Sequence, residues 1–181
     1  MKRTRCLLCL AATALALALP ANPSHAAAET NAICHFEVHV VATPGWTMTP
    51  GTGSAEPVSP GRLDCTGTVQ GSRISQAPGS FTNRYTYGTT LTAPLGGDTC
   101  ALGAGEGRLE LVVHTVNGRS VRLEGPFQWV GSAAFTLQGS LDGVPFTGAG
   151  LAVPEPDALD QNCLSRPLSR FVDTGWLLLG P

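Results

Sequence analysis

The residues whose types and spacing could do chemistry in this 181-residue chain begin with the run His35-Phe36-Glu37-Val38-His39. On an extended strand, alternate residues share a face about 7 Å apart, so neighbouring members of the His35, Glu37, His39 row could chelate a metal. His35 and His39 would then stand about 13 Å apart, too far for one ion to take all three. A third ligand could come from His114, which the same alternation places outward beside Glu110. The same side chains also read as the solvated face of a one-sided sheet. That reading is preferred, so His35, Glu37, His39 and His114 stand as candidates only and no metal is assigned.

Other constellations carry less. Ser140 lies in Gly139-Ser140-Leu141-Asp142-Gly143, which is not the G-x-S-x-G of a nucleophile elbow. Gly103-Ala104-Gly105-Glu106-Gly107 has neither dinucleotide nor phosphate-loop spacing and reads as a bulge or a close strand crossing. Glu155, Asp157 and Asp160 could hold calcium, but their spacing matches no calcium loop and Pro154 and Pro156 stiffen the segment, so a solvated loop is expected. No catalytic residue and no cofactor is assigned. The aromatics Phe81, Tyr85, Tyr87, Phe127, Trp129, Phe135, Phe146, Phe171 and Trp176 are expected in the core. Trp46, in the loop-like Thr43-Pro44-Gly45-Trp46-Thr47, either packs beneath that loop or stands exposed to a ligand.

Extended segments must position these residues. Helical periodicity is nearly absent, whereas period-two alternation recurs over 33–42, 62–70, 80–88, 105–116, 119–130, 133–141, 144–153 and 168–179. The class is all-β. Asn117-Gly118 fits a three-residue loop closed by a glycine bulge, because that register sets Val113 opposite Val121 and Leu111 opposite Leu123. At Asp142-Gly143 a two-residue turn sets Leu141 opposite Val144 and Leu137 opposite Gly148. Hairpin-linked strands, eight or nine in number, predict an antiparallel up-and-down barrel, with a two-sheet sandwich as the alternative.

Lys2, Arg3 and Arg5, a 14-residue apolar run from Cys6 to Leu19, Pro20, and small residues at Ser24 and Ala26 form a secretory signal in order. Cleavage is expected after Ala26, with Ala28 as the alternative. The domain division is then 1–26 signal peptide and 27–181 a single β domain, secreted, with no transmembrane anchor, since a spanning helix needs about 20 apolar residues. Cleavage removes three cations and no acids, leaving eight arginines against 13 acidic residues, a net charge of −5. Nucleic acid and anionic membranes require a basic face and are excluded as partners.

Cys34, Cys65, Cys100 and Cys163 remain, an even number that reads as two disulfides with three possible connectivities. Cys34 and Cys65 both point inward on successive strands, which favours their pairing and leaves Cys100 to Cys163.

Cys34 with Thr43-Pro44-Gly45-Trp46-Thr47-Met48-Thr49-Pro50, Asp64-Cys65-Thr66-Gly67-Thr68-Val69, Thr99-Cys100 and Asn162-Cys163 together resemble a group of small exported bacterial β proteins with four cysteines. The resemblance implies export and a shared fold, and it brings no activity or site. Three functions remain open: a structural or interaction module, a barrel carrying a small apolar ligand, or an extracellular enzyme using the barrel interior. A filled interior is expected, with the His35/Glu37/His39 row outside.

Overall fold

The computed structural model describes residues 29–88 and 96–181. The signal segment 1–26 lies outside the described residues. Ten strands follow in order: β1 (Asn31–Trp46), β2 (Gly53–Pro57), β3 (Gly61–Val69), β4 (Ser72–Arg73), β5 (Gly79–Tyr87), β6 (Gly103–His114), β7 (Ser120–Gly131), β8 (Ala134–Leu141), β9 (Val144–Pro154) and β10 (Leu168–Leu179). Each of β3, β5, β6, β7, β8, β9 and β10 pairs antiparallel with the next in that series, and β10 returns to β1 from Ala32↔Leu179 to Val41↔Arg170. The pairing of β1 with β3 closes an up-and-down barrel, with β2 and β4 as two additional short strands. Closure leaves no exposed edge in the ring and replaces the alternative of two packed sheets.

Both hairpin registers follow from turn chemistry. Gly118 takes a φ of +81° and sets Val113 opposite Val121 and Leu111 opposite Leu123. Asp142 and Gly143 both have positive φ, the signature of a type I′ turn, and Leu141 faces Val144 while Leu137 faces Gly148. The disulfides are Cys34–Cys65 and Cys100–Cys163. The first joins directly opposed residues of β1 and β3, and the second ties the segment before β6 to the segment before β10. In the chain-entropy account each closure stabilises by about 4 kcal/mol.

Two expectations are corrected. Residues 43–61 are not simply a connection: β1 runs on to Trp46, and β2 fills the gap between the upper parts of β1 and β5. Of the two outcomes open to Trp46 the structure shows the packed one, against Tyr87, Trp129 and Phe171, with ring centroids 5.4 to 5.7 Å apart. Trp176 is not a core residue but is 57% exposed on β10, because strand alternation gives the inward positions to its neighbours Gly175 and Leu177.

The glycines of 103–107 mark a close approach. A Cβ at Gly105 would lie 1.8 Å from the Thr86 carbonyl oxygen and 2.7 Å from Trp129 Nε1, so β6 can pass under that indole only with glycine there. The interior is otherwise filled: Phe36 stacks on Phe81 at 4.5 Å, and Leu63, Leu109, Leu111, Leu123 and Leu177 are fully buried.

Candidate functional site in the barrel interior

Strand alternation places Asp173 on the same face of β10 as Phe171 and Leu177, and Asn83 on the same face of β5 as Phe81 and Tyr85. Both are therefore carried into the core. Asp173 is 2% exposed and its Oδ2 accepts from Asn83 Nδ2 at 3.1 Å and from the Tyr85 hydroxyl at 3.3 Å. Among the described residues no cation contributes to its ionisation. Burial pushes the Asp173 carboxyl up to about 7, against the pull of the Asn83 and Tyr85 hydrogen bonds, which favour the charged form. The same burial, with the Asp173 charge beside it, drives the Tyr85 phenol well above its ordinary value.

Three buried polar atoms in this region have no partner among the described residues: Asp173 Oδ1, Asn83 Oδ1 and Trp46 Nε1. Their residues all line one cavity of about 20 Å³, walled on other sides by Phe127, Trp129 and Leu137. A cavity of that size accepts a water molecule and excludes an organic ligand. No family model, curated protein or solved structure matches the chain. The functional reading therefore rests on geometry alone.

The histidine row lies outside the barrel, and its members are held by different neighbours. His35 packs edge-on against Trp176, centroids 4.9 Å apart, with Nε2 3.3 Å from Thr174 Oγ1. His39 Nδ1 lies 3.0 Å from Glu155 Oε1, and Glu37 is exposed between the two. His114 Nδ1 is 3.0 Å from Ser120 Oγ at the far end of the β6–β7 hairpin. The structure thus does not gather His35, Glu37, His39 and His114 around one point. Among the described residues no three His, Cys, Asp or Glu side chains converge as a metal site.

In the acidic segment Asp157 and Asp160 are exposed to solvent, as expected, and Glu155 is not. Glu155 is buried, accepts from Arg170 Nη2 and also meets His39, while Arg170 Nη1 donates to Asp157 Oδ2 at 2.9 Å. Arg166 pairs with Asp160.

Sequence reasoning missed Asp173 and Asn83, although the signal was available. Alternation on the strand 168–179 puts Asp173 in step with Phe171 and Leu177, and a carboxyl in step with core residues marks a buried polar site. The outward face of β10 holds a second feature. Trp176, Leu178 and Ile33 are exposed by 57, 52 and 48%, with Ile33 directly opposite Leu178. Leu151 of β9, 51% exposed, lies opposite Thr174, and Ala149 lies opposite Trp176.

Proposed function

We propose that this protein is an exported binding module that works through the outside of its barrel, presenting Trp176 and the flanking Ile33, Leu178 and Leu151 to a protein partner. A disulfide-stabilised β-barrel fits a structural or binding module. The observation that carries the finer reading is Trp176, 57% exposed within a row of apolar side chains. Trp is the residue most enriched at interface hot spots, and a contiguous apolar patch on a soluble protein marks an interaction surface.

Trp176, Leu178, Ile33 and Leu151 present apolar side chains, which favours a partner with an apolar surface. The patch is bordered by Thr66, Thr147 and Thr174, by His35 packed edge-on against Trp176, and by Asp64 opposite His35, while the wall formed by β6 and β7 carries ion pairs of Arg108 with Glu124 and of Arg122 with Glu110 and Glu124. Two disulfides support export, since such bonds persist in oxidising compartments. The resemblance to small exported bacterial β proteins agrees with it. Carriage of an apolar ligand, or catalysis inside the barrel, is less well supported, because the interior cavity of about 20 Å³ matches neither.

The test uses a photo-crosslinker placed at position 178 and, separately, at position 122 on the opposite wall. The protein captured from position 178 is purified and its affinity for the native chain measured. The expected result is a binary complex weakened at least tenfold by Trp176→Ser and unchanged by Arg122→Ala. Equal capture from both walls, or a Trp176→Ser variant that binds as well as the native chain, contradicts the reading.

A further inference from the structure

The polar atoms left over inside the barrel form a set with a definite chemistry. Trp46 Nε1 is a donor; Asn83 Oδ1 and the ionised Asp173 Oδ1 are acceptors. They come from three strands: the end of β1, the middle of β5 and the middle of β10. All three residues border the same cavity of about 20 Å³. Buried polar atoms without partners are rare, and three around one small cavity indicate a shared ligand.

The donor count selects that ligand. A metal or ammonium ion would face the positive end of the Trp46 N–H, and an anion would face two carbonyl-type oxygens. A molecule that offers two protons and a lone pair matches all three groups. We propose that the cavity is a binding site for one water molecule, which donates to Asn83 Oδ1 and Asp173 Oδ1 and accepts from Trp46 Nε1, linking β1, β5 and β10 across the barrel.

The site works in both charge states of Asp173. Oδ2 already accepts from Asn83 and Tyr85, so a proton taken up by the carboxyl resides on Oδ1. The water then accepts from Oδ1 and Trp46 and still donates to Asn83. Water has two protons and two lone pairs, so the node stays satisfied while the charge changes.

The experiment is water-selective NMR on the native ¹⁵N-labelled protein, reading the Trp46 indole proton, assigned by its loss in Trp46→Phe. The expected result is a direct cross-peak from a water that resides longer than the molecule tumbles. It must survive in Tyr85→Phe, which removes the neighbouring exchangeable hydroxyl as a relay, and weaken severalfold in Asp173→Leu. A native indole proton with no water cross-peak overturns the proposal. So does a cross-peak abolished by Tyr85→Phe, which would identify the hydroxyl as its source.

Discussion

Strands β7 and β10 are both twelve residues long and both lie in the ring, yet they differ in how the middle of the strand treats polarity. On β7 the rule is kept except at the outward Val130: Val121, Leu123, Phe127 and Trp129 point inward, and Arg122, Glu124 and Gln128 point to water. On β10 the middle of the strand is inverted, with the carboxyl of Asp173 inside and the indole of Trp176 outside. A folded sheet tolerates such an inversion only where another interaction compensates for it. β7 therefore builds the barrel, and β10 carries the features that building does not require: an internal hydrogen-bond node and an external apolar patch.

Truncation on the strand that obeys the rule should have the largest effect. Phe127→Ala removes a buried ring and leaves a cavity, so denaturant unfolding should show a loss of about 3–5 kcal/mol. A loss below about 1 kcal/mol would mean that the two strands do not differ as described.

The inverted strand should instead announce itself through pH. The Asp173 carboxyl has an ordinary value of 3.8 and is raised to about 7 in the folded protein, so the native state binds the extra proton. The stabilisation is fully present below the ordinary value and is lost as pH rises through about 7. The groups facing the carboxyl are Asn83, the Tyr85 phenol and aromatic rings, and none of them is a cation. Between pH 4 and pH 8 the native protein should lose on the order of 3 kcal/mol more stability than Asp173→Asn. Parallel profiles for the two proteins would remove the inversion from the account.

At the small end lies the outer face. Trp176→Ser should alter stability by no more than about 0.5 kcal/mol, because the indole is already mostly in water. A melting curve that collapses in this variant would make Trp176 a packing residue and undo its assignment to a docking surface.

These contrasts also mark how far the sequence could be read. Alternation and turn chemistry suffice for β7, for both hairpins and for the Cys34–Cys65 pairing, because each depends on residues close in the chain or on shared facing. β2 was invisible, since Gly53-Ser54-Ala55-Glu56-Pro57 has no apolar alternation and is a strand only because the edges of β1 and β5 hold it. Trp46 was obscured by the loop chemistry of Pro44-Gly45, and Trp176 by assigning aromatics to the core by type. Asp173 had the inward parity, but a carboxyl type argued the other way. The clasp of Glu155 by His39 spans 116 positions, a pairing that no local pattern reveals.

The most direct test of the inversion is the ¹³C shift of the Asp173 carboxyl, followed across pH in the native protein. A buried acid held by Asn83 and Tyr85 should titrate with a midpoint at about 7. A midpoint near its ordinary 3.8 would place the carboxyl in water and contradict the assignment of β10.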